Sequence, residues 1–178
     1  TVADLESGTP IGGDVGTAFL QPEQVCRVLD RGDALWTGVS GGADNTMDIL
    51  NAGGGNTAKL RIDNAVDPRR LGAIPDYDSG GDTGTDNSLV FIRAVELADT
   101  LRMPLQIIGK FLIEQKLTMP IFGLRIIGIE PNASQIWTHL NDVLMEYSNN
   151  FDVSGFLVQK IGENNYEESR CFSTSLNG

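Results

Sequence analysis

A chain of 178 residues, 40% of them apolar, is long enough for one domain with a real core and too apolar for wholesale disorder. Its formal charge of −11 repels phosphate backbones, and the one adjacent basic pair, Arg69-Arg70, makes no polybasic patch. Neither nucleic acid nor a membrane surface is therefore expected as a partner. The most apolar run, "IFGLRIIGIE", carries Arg125 and falls short of the roughly 20 apolar residues a membrane helix needs. The opening "TVADLESGTP" lacks the basic start and apolar stretch of a secretory signal. Cys26 and Cys171 have no metal-type spacing, and nothing demands that they pair, so synthesis in the cytoplasm is the expectation.

In chain order, residues 1–24 read as a Gly-rich, extended N-terminal arm and residues 25–178 as a single domain. "PEQVCRVLD" predicts a short helix, with Pro22 near its first position and Val25, Val28 and Leu29 on one face. "ALWTGVS" and "AKLRID" predict short strands, separated and followed by long loops at 41–57 and 63–88. From Ser88, "SLVFIRAVELADTL" places Val90, Ala94, Leu97 and Leu101 on one helical face, with Asp86, Asn87 or Ser88 as cap.

"PLQIIGKFLIEQKL" reads as a second helix, though Gly109 and the Ile pair leave a strand open. "IFGLRIIGI" is apolar on both faces, as a central strand would be. "PNASQIWTHLNDVLMEYSNN" gives the strongest helical pattern, with Ala133, Ile136, Trp137, Leu140, Val143, Leu144 and Tyr147 in one stripe and Asn132 as cap. The last stretch predicts a hairpin turning at Gly162–Asn165. The order of elements predicts an α+β fold, a mainly antiparallel sheet packed with about three helices. No internal repeat is visible.

Residues 76–88, "DYDSGGDTGTDNS", admit several chemistries. As a calcium loop, Asp76, Asp78 and Gly81 stand at EF-hand positions 1, 3 and 6, but position 5 is Gly80 and position 12 is Asn87 in place of the bidentate Glu. The nearby "GGADNTMDI" is distantly similar to calcium-binding β-roll repeats, yet it does not repeat. Asp78-Ser79-Gly80-Gly81 looks like the surroundings of a chymotrypsin-type serine. That mechanism needs a histidine base, and the single histidine, His139, falls after the serine on the polar side of a predicted helix, where a surface role is expected.

"DTGTDNSLV" resembles the active-site turn of retroviral-type aspartic proteases, and "PLQIIGKFLIEQKL" is similar to the segment opening that family's C-terminal helix. The resemblance implies Asp82 as a catalytic carboxylate shared across a dimer. The lead-in "DYDSGG" departs from the family's apolar strand, and the interval between the two motifs is too short for a flap.

Thr1 as an N-terminal nucleophile has no lysine nearer in sequence than Lys59. Asn132-Ala133-Ser134 is a formal glycosylation sequon better explained by capping, and Trp36 and Trp137 read as core. The resulting expectation is a non-catalytic structural subunit of a large symmetric assembly of bacteriophage-virion type (tail, tube or head-completion). It would act through contacts of the arm and loops with copies of itself and other subunits. No catalytic, cofactor-binding or metal-ligating residue and no cofactor is assigned. The alternatives are a calcium-binding module built on residues 76–87 and an aspartic-protease-like hydrolase using Asp82.

Overall fold

The computed structural model describes residues 1–8, 19–120, 124–129, 132–140, 145–147, 152–155, 157–160 and 172–174. They form two compact units, the first of Thr1–Asp63 with Arg70–Gly72, the second of Asn64–Arg69 with Ala73–Gly178.

The first unit opens with a short helix, α1 (Val2–Ser7), where an extended arm was expected. A capping box explains it: the Thr1 hydroxyl accepts from the Asp4 N–H at 3.3 Å, while the Asp4 carboxylate accepts from the Thr1 amine at 2.9 Å. Residues 9–18 of that arm lie outside the described residues.

Four antiparallel strands follow: β1 (Val25–Val28), β2 (Ala34–Ser40), β3 (Ile49–Asn51) and β4 (Asn56–Leu60), in the order β1-β2-β4-β3. The helix expected over "PEQVCRVLD" is instead strand β1, paired through Cys26 to Trp36, and then a 3-10 turn at Leu29–Arg31. Its valines suit a pleated edge as well as a helix face. Ala34, Trp36 and Gly38 turn one face of β2 inward, and a Cβ on Gly38 would stand 2.1 Å from the Gln21 carbonyl oxygen. Arg31 ties the 70–72 segment to this sheet, donating to the carbonyls of Leu71 and, at 2.9 Å, Thr46.

Among its described residues the second unit holds α2 (Ser88–Leu101) and nine short strands: β5 (Leu105–Ile107), β6 (Gly109–Leu112), β7 (Leu117–Thr118), β8 (Arg125–Gly128), β9 (Ser134–Thr138), β10 (Met145–Tyr147), β11 (Asp152–Ser154), β12 (Leu157–Lys160) and β13 (Phe172–Thr174). Every pairing among them is parallel, and the sheets are β5-β8-β11, β6-β9-β12 and β7-β10-β13. The chain visits the three sheets in turn, then repeats the circuit twice. That is a coil of three-sided rungs, a parallel β-helix. Leu105 pairs with Ile126 and Ile126 with Val153; Phe111 pairs with Ile136 and Ile136 with Val158. Single parallel bridges, Val66 to Leu105, Asp76 to Lys110 and Asp86 to Leu112, add an irregular rung before the first.

The α+β expectation is thus overturned. Among the described residues there are two α-helices, of 6 and 14 residues, and the second unit has no antiparallel sheet. "PLQIIGKFLIEQKL" takes the strand alternative: Gly109 turns the corner from β5 to β6 at φ +113°, where a Cβ would meet Pro75 at 2.4 Å. "PNASQIWTHLNDVLMEYSNN" contains β9 and β10, not a helix. The hairpin turn at 162–165 lies outside the described residues, and the strands flanking it, β12 and β13, belong to different sheets.

The strand expected over "ALWTGVS" is β2, and the helix expected from Ser88 is α2, but of its expected face, Val90, Ala94, Leu97 and Leu101, only Ala94 is buried. Asp86 supplies an acceptor for the Ser88 N–H at 2.9 Å, while Asn87 spends its amide on the Ile74 backbone at 2.7 and 3.0 Å. The helix buries Phe91, Ala94, Val95 and Ala98 and packs Phe91 edge-on against Phe111 of β6, ring centroids 5.1 Å apart. Burial of Phe91 and Val95 contributes about 1.5–3 kcal/mol each, and of the two alanines less.

Candidate active site

Strand alternation gives β6 and β9 two unlike faces. Phe111 and Ile136, with Val158 of β12, are stacked in register and buried on one. Lys110, Leu112, Gln135 and Trp137 lie on the other, the outer face, where the Trp137 indole donates to the Gln135 side chain at 3.0 Å. Left bare, Leu112 and Trp137 would expose apolar surface. Tyr77 covers them: its ring stands 5.0 Å from that of Trp137, and the three residues form a small buried cluster.

Tyr77 begins the acidic loop, whose folding answers what residues 76–88 do. Asp78 and Thr83 pair antiparallel, with N–H···O distances of 2.8 and 3.3 Å. Asp76 accepts from the Thr85 N–H at 2.8 Å and hydroxyl at 2.7 Å, and Asp78 from the Gly80 N–H at 2.9 Å. Both acids of the calcium reading therefore close the loop on itself. Among the described residues, no group of three or more His, Cys, Asp or Glu is arranged to hold a metal.

The third acid, Asp82, sits at the loop tip with φ +49°. Its carboxylate meets His139 Nε2 at 3.1 and 3.2 Å, and the Tyr77 hydroxyl donates to the same Oδ1 at 3.0 Å. His139 follows β9 in sequence, and its other ring nitrogen, Nδ1, lies 2.9 Å from Oε1 of Glu114, which follows β6. The Glu114 N–H is anchored on the Ser88 hydroxyl at 2.8 Å, and its Oε1 also accepts from the His139 N–H at 3.3 Å. Asp82, His139 and Glu114 keep 52%, 43% and 29% of their side-chain surface open to water. The trio is accessible.

Ionised carboxylates only accept hydrogen bonds, so an imidazole facing one at each nitrogen is satisfied only when both nitrogens carry protons. Glu114 first and Asp82 second raise the His139 pKa above its ordinary value. The bonds from His139 and then Tyr77 hold Asp82 below the usual carboxylate range. Burial, reinforced by Asp82, pushes the Tyr77 phenol well above its usual value, so it stays a donor. The arrangement sets a proton donor beside an ionised proton acceptor on an open surface, the requirement of general acid–base chemistry.

The other sequence candidates fall elsewhere. His139 hydrogen-bonds Asp82 and Glu114 rather than Ser79, and it follows a strand, not a helix. The Thr1 amine is held by Asp4. Asn132 caps no helix; it is exposed in a turn, and Ser134 of the sequon is buried at the start of β9, accepting from the Ile129 N–H at 3.0 Å. Trp36 and Trp137 are both buried, as expected. Cys26 is free, and Cys171 lies outside the described residues. Sequence reasoning passed over Tyr77 and Glu114, which carry no local motif. Only the fold brings them to Asp82.

No protein-family model matches the chain, and no curated protein matches it in sequence. Solved structures do match its fold. Pantoea stewartii WceF, described as a glycan biofilm modifying enzyme with a bacteriophage tailspike-like parallel β-helix fold, aligns over 99% of this chain and 27% of its own, with 15% identity and a TM-score of 0.67. The enzymatically active domain of tailspike protein 2 of bacteriophage CBA120 aligns over 98% of this chain and 25% of its own (13% identity, TM-score 0.61). An Acinetobacter baumannii phage AM24 tailspike aligns over 91% and 32% (17% identity, TM-score 0.57). The chain thus spans about a third or less of the structures it matches.

These likenesses define the fold as a tailspike-like parallel β-helix. They also overturn the expectation of a non-catalytic subunit, since neighbours sharing the fold across nearly the whole chain are an enzyme and an enzymatically active domain.

Proposed function

We propose that the chain is a β-helical portion of a glycan-acting enzyme of bacteriophage-tail type, with Asp82, His139 and Glu114 as its acid–base site. The observation that carries the reading is an imidazole held between two carboxylates on the outer face of the β6–β9 sheet. A fold hosts many functions, so the site carries the chemistry, and the tailspike neighbours supply the substrate class and the setting.

The reaction is hydrolysis of a glycosidic bond. A glycosidic oxygen placed at the Nε2 edge of His139 receives its proton as the bond to the anomeric carbon breaks. Asp82, ionised, most exposed of the three and in contact with Nε2, stabilises the positive charge that develops on the sugar, while the attacking water gives its proton to solvent. Glu114 keeps the imidazole charged and oriented through Nδ1. Copies of this chain and other tail subunits are its proposed partners, with incorporation into a virion; light scattering of the purified protein tests self-association.

The test of the activity is release of new reducing ends from a panel of bacterial capsular and lipopolysaccharide glycans. Asp82→Asn and His139→Gln are each expected to lower the rate by about 100-fold or more while the thermal melt stays near the wild type. Absence of cleavage across the panel, or full activity in both variants, rejects the assignment.

A further inference from the structure

We propose that Tyr77 is the positioning residue of Asp82: its buried phenol fixes that carboxylate, in a left-handed backbone conformation, over His139. The role in catalysis rests on the function proposed above; the positioning itself rests on three independent observations.

The first is a contrast in burial. Tyr77 is 5% exposed, and a phenol so placed needs a hydrogen-bond partner; it takes the Oδ1 of Asp82, whose side chain is 52% exposed. An outward-facing carboxylate is thus tethered from beneath by a group that packing against Trp137 and Leu112 holds still.

The second is backbone strain. Asp82 adopts φ +49°, a left-handed conformation that a non-glycine residue keeps only where the surroundings impose it. The Asp78–Thr83 pairing closes the turn that holds it, and the phenol and imidazole fix the carboxylate so presented.

The third is the return of the loop over the ring. A Cβ on Gly84 would stand 3.0 Å from Tyr77 Cα and 3.1 Å from its Cδ2, so the bare glycine lets residues 83–85 clasp the tyrosine. The phenol holds Oδ1 while the imidazole spans Oδ1 and Oδ2 at 3.1 and 3.2 Å, so the carboxylate is fixed from two directions.

The experiment compares wild type, Tyr77→Phe and Gly84→Ala in the full chain, by carbon-detected NMR of the Asp82 carboxyl across pH and by the pH–rate profile on a cleaved glycan. Tyr77→Phe keeps the ring on Trp137 and removes only the hydroxyl. The Asp82 titration is expected to move upward, the acid limb of the profile to move with it, and kcat to fall about tenfold, as loss of a hydrogen bond to a charged group implies. Gly84→Ala, which deletes no site side chain but crowds Tyr77, is expected to move both curves in the same direction by less. An Asp82 titration and acid limb unchanged in Tyr77→Phe overturn the proposal. Should the titration shift while wild type cleaves no glycan, the positioning stands and the proposed activity falls.

Discussion

The two faces of the β6–β9 sheet are built from adjacent residues of the same strands, yet they are sealed in different ways. Phe111, Ile136 and Val158 are covered by the coil and by Phe91 of α2. Leu112 and Trp137, one residue along, are covered by a single tyrosine at the root of an acidic loop. The inner face closes by repetition and serves stability. The outer face closes by one inserted loop, whose tip is then free to carry a carboxylate toward an imidazole. A coil can therefore change its chemistry by changing a loop without disturbing its core.

Substitutions can break or sharpen that contrast. The largest effect is expected from Phe111→Ala, which opens a cavity in the inner stack and should cost about 3–5 kcal/mol in urea denaturation. Trp137→Ala should cost less, about 2–3 kcal/mol, because the loop can settle onto the vacated surface, and it should unseat Tyr77 and abolish activity. An equal loss of stability in the two variants would mean that the outer cluster is core in its own right. His139→Gln should change stability by under about 1 kcal/mol, as expected for an exposed ionic contact, while removing activity. A large loss of stability there would make the trio a structural clamp.

The smallest effect is the pH dependence of the loop. The Asp82 contribution is present above the ordinary carboxylate value of about 4 and is lost as pH falls through its depressed folded pKa. The His139 contribution is complete below the ordinary imidazole value of about 6.5 and is lost as pH rises through its elevated folded pKa. Amide exchange at Thr83 and Thr85, corrected for intrinsic rates, should accordingly be slowest between about pH 4 and 6.5. A profile flat across that window would show that backbone bonds alone hold the loop.

The same contrast explains what the sequence disclosed. The α2 helix was legible as a helix from its length and the capping signal of Asp86, but its buried face was misplaced, because apolar Leu89 and Leu101 lie on the exposed side. Strand β9 was not legible, because both faces are covered. Ile136 points one way and Trp137 the other, and two adjacent apolar residues read as part of a helical stripe. The repeat was hidden because the rungs are unequal: Leu105 to Ile126 in one sheet corresponds to Leu117 to Met145 in another.

At the site, the acidic loop and Asp82 stood out from composition and from a protease-like turn. Their partners did not, since Glu114 and His139 reach Asp82 only through parallel stacking of distant segments.

The irregular rung at Val66, Asp76 and Asp86 has a consequence for strand pairing. A stack of parallel strands ordinarily ends in a row of open amides and carbonyls, a template on which a stray strand from another molecule can grow. Here that row is broken, because β5 and β6 meet three isolated residues from loop segments in place of a straight neighbour. This end of the coil gives an incoming strand no continuous register to copy.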